Sequence, residues 1–214
     1  MKNYKKGKLI TIEGCEGVGK SSQINLLKEY CVKNNIDAIF TREPGGTKTA
    51  EKIRDIILHS KKGEVDDKTE LLLYIAARSA HIAEVIKPNL MLGKIVFCDR
   101  FTDSTLAYQG YGRGMDIQKI KNLNDWVLGD IKIDCTVFLD LSPQAGFKRK
   151  GGIDTTDRVE SEGLEFHNKV YNGFKDIEKQ DKERFISVDA SGSVGEIHDS
   201  IVKALKKIIL TTYN

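Results

Sequence analysis

The chain has 214 residues, 40% of them hydrophobic and 30% charged, with a net charge of +3. That length suits one larger domain with a sheet covered on both faces, and so small a net charge gives no duplex-binding surface. No apolar run approaches the roughly 18 residues of a membrane-spanning helix, so the expectation is a soluble cytoplasmic protein with neither a membrane nor a nucleic-acid partner.

The opening "MKNYKKGK" is basic but has no apolar stretch behind it, so it reads as a solvated arm and not a secretory signal. "KLITIE" (8–13) reads as the first strand, continuously apolar as expected of a strand buried on both faces. Next comes Gly14-x-x-x-x-Gly19-Lys20-Ser21, the G-x-x-x-x-G-K-[ST] pattern, with a strand before it and a helix after it. Glycines let successive N–H groups turn inward, and the helix presents its positive end to the same anion. Gly14, Cys15, Glu16, Gly17, Val18, Gly19, Lys20, Ser21 and Ser22 therefore form the expected ATP cradle. Lys20 should reach the β/γ-phosphates and Ser21 should ligate Mg²⁺. Two acids, Glu13 and Glu16, sit oddly beside an anion site; Glu13, at the strand end, reads as structural.

Further along, Ile24, Leu27 and Cys31 predict a helix over 21–33, and "DAIFT" (37–41) reads as a second strand ending at Arg42. Ala50, Ile53 and Ile57 predict a helix over 49–59 that carries Arg54. A helix over about 67–87 should stop before Pro88. Its stretch "LLLYIAARSAHIAEVI" is apolar almost all round, yet contains Arg78. Arginine is rarely buried without a partner. One of the protein's own carboxylates is one candidate partner, and a ligand phosphate or base ring is the other.

"KIVFC" (94–98) is the third strand, followed by Asp99 and Arg100. An acid at that strand end can hold Mg²⁺ directly or through water, and the arginine can grip phosphate as a planar fork. A structural Asp–Arg ion pair is the alternative. Strands four and five read as "CTVFLDL" (135–141) and "RFISVDA" (184–190), with helices over 117–128 and over 193–209. The last helix has inward positions at Val194, Ile197, Ile201, Leu205 and Ile208. The polar, glycine-containing stretch 150–163 is the candidate mobile segment. This alternation predicts a single α/β domain over 1–214, a P-loop NTPase-type three-layer fold whose five-stranded parallel sheet is flanked by helices. The four cysteines, at 15, 31, 98 and 135, lack metal-site spacing and read as buried free thiols.

Taken in order, "EGCEGVGKSS", "TREPGGT", "AEKIRDIIL", "AARSAH", "CDRFTDSTLAYQGYGRG" and "FKRK…DRVE" resemble the bacterial thymidylate kinase family from about residue 8 to 210. The resemblance implies a nucleoside monophosphate kinase, usually a homodimer, that moves the γ-phosphoryl of ATP to dTMP with Mg²⁺. It places Glu16 at the deoxyribose 3′-hydroxyl, and Arg42, Arg54 and Arg100 around the acceptor phosphate. Pro44 would line the acceptor pocket, Tyr74 would stack on thymine, and Arg78, Thr105 and Gln109 would meet the base. Tyr108 would crowd the 2′ position, and Ser21 and Asp99 would serve the metal. Such a reaction needs no general base, because a monophosphate with a second pKa of about 6 is already largely dianionic. His81 and His167 accordingly read as surface or packing residues.

The lid, about 148–163, departs from the family pattern. Family members with glycine at the Gly17 position commonly carry a catalytic arginine there, but between Arg149 and Arg158 none occurs. Arg149, Lys150 and Arg158 are the candidate catalytic cations beside Lys20 and Arg100, with Lys148 adjacent. Fold-level analogy puts adenine near Asp189 and Ala190. Rival readings fare worse. Another pyrimidine acceptor such as dUMP is the nearest alternative, whereas a GTP switch lacks its N-K-x-D, since "NLND" (122–125) has leucine where lysine belongs.

Overall fold

A computed structural model describes residues 7–61, 63–152, 158–159 and 161–213, with side chains through Ile209. Five strands, β1 (Lys8–Glu13), β2 (Ala38–Arg42), β3 (Ile95–Asp99), β4 (Cys135–Asp140) and β5 (Phe185–Asp189), form one sheet in the order β2-β3-β1-β4-β5. Every pairing is parallel. Each strand lies within one residue of its expected ends.

Alternation along the strands divides the interior. Leu9, Val96 and Cys98 pack with Ile82, Ile86 and Leu90, while Ile10, Ile12, Ile95 and Phe97 join a larger cluster with Leu27, Ile57 and Ile201. Each such side chain contributes about 1.5–3 kcal/mol on burial, which is why the strands read as unbroken apolar runs. All four cysteines are buried free thiols.

Helix α1 (Lys20–Lys33) follows β1, α2 (Lys48–His59) follows β2, and α3 (Asp67–His81) packs against α2. The expected stop before Pro88 does not occur. A π-helical turn, Ile82–Ile86, leads from α3 directly into α4 (Lys87–Met91), with Pro88 in its first turn. A missing N–H is tolerated at a helix start, and the wider π turn separates the proline ring from the preceding carbonyls.

After β3, α5 (Thr102–Thr105) runs into a second π-helical stretch, Leu106–Gly112, then α6 (Ile117–Leu128). Helix α7 (Pro143–Lys150) follows β4, α8 (Leu164–Gln180) precedes β5, and α9 (Val194–Tyr213) ends the fold. The sequence reading does not single out α8, although Val170, Phe174 and Ile177 bury one face of it. On α9 the inward set is corrected at its start, where Val194 is 53% exposed; Ile208 packs partly buried against the core, beside the buried Ile209. On α1, Ile24 packs partly buried against the core as expected, and Gln23 is buried as well, its amide donating to the Val194 carbonyl at 2.9 Å.

The register brings the chemistry to one edge. Ile12 pairs with Asp99 and Glu13 with Phe138. The loops leaving β1, β3 and β4 thus open side by side at the carboxyl end of the sheet, where parallel α/β folds bind ligands.

Candidate active site

Gly17 (φ 71°) and Gly19 (φ 97°) hold left-handed backbone, so the turn between β1 and α1 needs glycine at both. A Cβ on Gly17 would lie 2.2 Å from the Gly146 carbonyl oxygen of α7, and one on Gly146 would lie 2.3 Å from the Glu16 oxygen. Cradle and α7 therefore touch backbone to backbone. Asp66, Asp116 and Ser142 cap other helices with their side chains, but α1 has neither a capping side chain nor an acid in its first turn. Its first amides are left for an anion.

Lys20 is 9% exposed, and its ammonium donates to the Gly14 and Cys15 carbonyls at 3.0 and 2.7 Å. Burial, reinforced by the charge of Arg100, brings its pKa down to about 8. Arg100 holds φ 62°, a left-handed conformation that costs a non-glycine residue roughly 1–3 kcal/mol. Its backbone N–H donates to Ile12 O at 3.0 Å, and its guanidinium donates to Gly14 O at 3.0 Å and lies 5.1 Å over the Tyr108 ring. Those ties aim a fork at the cradle.

Glu13 is structural, as expected. It is fully buried and accepts from the Phe101 amide at 2.7 Å and the Ser104 hydroxyl at 2.6 Å. Burial, then the nearby Asp103 charge, pushes its carboxyl up to about 7.

A cavity of about 510 Å³ starts at the cradle. Glu16, Gly17, Gly19, Lys20, Ser21 and Ser22 line one part of it, with Asp99 and Arg100. Arg42, Pro44, Arg54, Tyr74, Arg78, Thr105, Tyr108 and Gln109 line the rest. Gly14, Cys15 and Val18, counted with the cradle, are not among the lining residues; the Cys15 and Val18 side chains are 1% exposed and pack in the core. Arg42 pairs with Glu51 at 2.8 Å, Arg54 donates to Pro44 O at 2.9 Å, and the Glu43–Pro44 bond is cis.

Arg78 has the carboxylate partner that was one of its two readings. Only 2% exposed, it donates to Glu43 at 2.7 Å, Asn124 at 2.5 Å and Thr105 at 3.0 Å, and its guanidinium lies 5.0 Å from the Phe101 ring centre. It also borders the cavity, so internal pairing and facing a ligand are not exclusive. His81 completes the cluster, with Nδ1 2.9 Å from Glu43 and Nε2 2.6 Å from Thr41. His81 and His167 are fully buried, which excludes the surface half of that expectation and leaves packing.

The lid cations part company. Lys150 lines the cavity and pairs with Glu16. Arg149 also borders it, but its guanidinium donates to the carbonyls of Ala190, Ser191 and Gly192 at 2.5, 2.8 and 3.3 Å. Arg158, expected among the catalytic cations, is not a lining residue; its guanidinium donates to Glu70 at 2.5 Å and Ile57 O at 3.0 Å. A buried carboxylate holds it away from the cradle in this arrangement. Residues 153–157 and 160 of the expected lid and mobile stretch lie outside the described residues.

The Asp99 Oδ1 atom is buried with no hydrogen-bond partner among the described residues, unusual for a carboxylate unless another group takes it. Asp99 and Ser21 both line the cavity and offer hard oxygen donors of the kind that would hold Mg²⁺. Sequence reasoning missed Glu43, Phe101, Ser104, Leu58 and Val159, which also line the cavity. Glu43 lies inside the quoted "TREPGGT", but no local pattern announces that its carboxylate turns back to Arg78.

A family model described as thymidylate kinase matches residues 12–201. The chain is 44% identical to the thymidylate kinase of Finegoldia magna over 198 residues, covering 92% of this chain and 97% of that protein. It is 44% identical to the thymidylate kinase of Lactobacillus helveticus over 205 residues, covering 94% and 97%. The crystal structure of the Ehrlichia chaffeensis thymidylate kinase superposes with a TM-score of 0.78 at 36% identity, over 94% of this chain and 99% of that one. The chain belongs to the thymidylate kinase family. Similarity at that level over nearly the whole length places the P-loop, the "DRF" segment and the buried arginine of α3 within one thymidylate kinase fold.

Proposed function

We propose that this thymidylate kinase family member transfers the γ-phosphoryl of ATP to dTMP, giving dTDP and ADP for dTTP synthesis. The observation that carries the reading is one continuous cavity joining the phosphate cradle to a pocket bordered by Tyr74, Arg78, Thr105 and Gln109, with Arg42, Arg54 and Arg100 along its course. Two anionic groups are thereby held in one enclosure bordered by cations.

The chain acts by position and charge. An acceptor phosphate oxygen is already ionised near neutral pH and needs no base. Lys20 and Arg100 neutralise the donor phosphates, while Arg42 and Arg54 hold the acceptor phosphate. Tyr74 stacks on the base, Arg78, Thr105 and Gln109 read its edge, and Tyr108 disfavours a 2′-hydroxyl. Glu16 orients the sugar hydroxyl. Ser21 and Asp99 would hold Mg²⁺, which screens the charge of the transferred phosphoryl group. Lys150, at the cavity wall, is the favoured lid cation; Arg149 and Arg158 need a rearranged lid to contribute.

The chain acts as one domain, in the cytoplasm. Among the described residues no helix is long and apolar enough to cross a membrane. A homodimer is supported by exposed Ile56, Leu72 and Trp126 on α2, α3 and α6, which pack in that order.

ADP formation with Mg²⁺-ATP across dTMP, dUMP, UMP, AMP and thymidine tests the reading, with highest kcat/KM expected for dTMP. ATP cleavage only with a different acceptor would reject it, and dUMP above dTMP would favour the alternative acceptor. The backbone seat of α7 adds a second expectation. Gly146→Ala should lower kcat about 10-fold or more, since a displacement of ~1 Å at a reacting centre can cost ~10²-fold. The added methyl must push α7, and Lys150 with it, off the cradle. Unchanged steady-state turnover would mean that this seating is immaterial.

A further inference from the structure

Glu70 follows the same spacing on α3 as Tyr74 and Arg78, four residues apart along one face. It is fully buried and is not among the residues that line the cavity. Its Oε1 accepts from Gln109 Nε2 at 2.9 Å and from Arg113 Nε at 2.7 Å. Its Oε2 accepts from a second Arg113 nitrogen at 3.0 Å and from Arg158 at 2.5 Å. Burial works to raise this carboxyl, but the hydrogen bonds of Arg113 and Gln109 and the Arg113 charge outweigh it and hold it below its ordinary value. Glu70 is therefore a carboxylate at neutral pH.

An ionised carboxylate only accepts hydrogen bonds. Of the two ends of the Gln109 amide, only the NH₂ can face it. The amide oxygen is left pointing the other way. It makes no hydrogen bond among the described residues, and Gln109 borders the cavity. A flip would set that oxygen against a buried carboxylate, an arrangement that strands two acceptors together.

Thymine and uracil carry a ring N–H donor at N3, whereas cytosine carries a lone pair there. An amide oxygen held toward the base pairs with the first kind and opposes the second. We propose that Glu70 is a specificity-determining positioning residue, which fixes the Gln109 amide so that the site accepts a pyrimidine with an N3–H donor and rejects cytosine. The assignment rests on the acceptor reading given above. It goes beyond that reading by naming the residue, outside the base pocket, that sets the hydrogen-bond polarity of the pocket.

Glu70→Gln tests it. The new amide keeps the shape, and its NH₂ opposes fewer arginine donors at the Oε1 position, beside Arg113 Nε alone, than at the Oε2 position, beside Arg113 and Arg158; set there, it lets Gln109 turn its oxygen inward. The ratio of kcat/KM for dTMP to that for dCMP should fall about 10-fold or more, because a mismatched buried hydrogen bond carries discrimination of that order or larger. The dCMP value should rise in absolute terms, which general damage to the fold would not produce. Equal losses with both nucleotides, leaving the ratio unchanged, would overturn the proposal. A second measurement needs no folded variant at Glu70. In the wild-type protein, the side-chain amide protons of Gln109, identified by their loss in Gln109→Glu, should exchange with solvent far more slowly than those of exposed Gln144. Exchange as fast as at Gln144 would overturn the proposal. Wild-type protein inactive toward dTMP would instead overturn the acceptor reading, and the amide exchange would then judge the Glu70–Gln109 bond separately.

Discussion

Lys20→Met is expected to lower kcat by roughly 10³-fold or more while leaving the thermal midpoint undiminished. The two halves have different causes. In the proposed reaction Lys20 is the cation that meets the phosphates, and a phosphoryl-transfer step depends almost wholly on positioning and charge. In the free protein that cation is costly. It is buried against the Gly14 and Cys15 carbonyls, and burial with the Arg100 charge brings its pKa from 10.5 to about 8. The sign follows from linkage: between pH 8 and 10.5 the unfolded chain binds more protons at this residue, so stability there rises with pH. At neutral pH the ammonium therefore works against folding, and the methionine stem fills the same space without it. Phosphates bound against Lys20 should raise its pKa, so ATP binding is expected to take up a proton and to weaken as pH climbs through about 8. Calorimetry in buffers of different ionisation enthalpy should detect that uptake in wild type and not in Lys20→Met. A fall in kcat below 10-fold, or a matching collapse of the thermal midpoint, would sink this account.

Arg78→Ala should cost about 3–5 kcal/mol of stability, the usual consequence of breaking a buried ion pair from one side. Glu43 would keep His81 Nδ1 at 2.9 Å but lose its permanent cation, and Asn124 and Thr105 would each lose a donor. Arg78→Lys retains the charge and should fold, yet a single ammonium cannot reproduce a fork that reaches three partners. Its KM for dTMP should rise about 10-fold or more with little change in KM for ATP, because Arg78 borders the base end of the cavity. Urea unfolding of both variants and initial rates of Arg78→Lys make the check. An alanine variant within 1 kcal/mol of wild type would show that the buried network does not depend on the arginine.

Much of the site is legible in the sequence because its parts are local. A P-loop is eight residues whose glycines set their own backbone, and Gly17 and Gly19 do hold left-handed φ. The strand ends at Glu13, Arg42 and Asp99 follow from where apolar runs stop, and in a parallel sheet those ends share one edge. Pro88 misled because a π turn, set by the packing of Ile82 and Ile86, alters what a proline does next. Val194 misled because periodicity assigns a face to a residue without regard to the freedom of a first turn.

Sequence alone thus determined the strand-helix alternation, the phosphate cradle and the set of arginines that could meet phosphate. Tertiary structure alone decided their partners. Arg78 finds Glu43 35 positions away and Asn124 46 away, Glu70 collects Arg158 from 88 away, and Gly17 in the β1–α1 turn rests on Gly146 of α7. The physical reason is that periodicity records which side of an element is dry. A buried charge is satisfied by whichever element the crossovers bring within 3 Å, and no window of a few residues contains that distance.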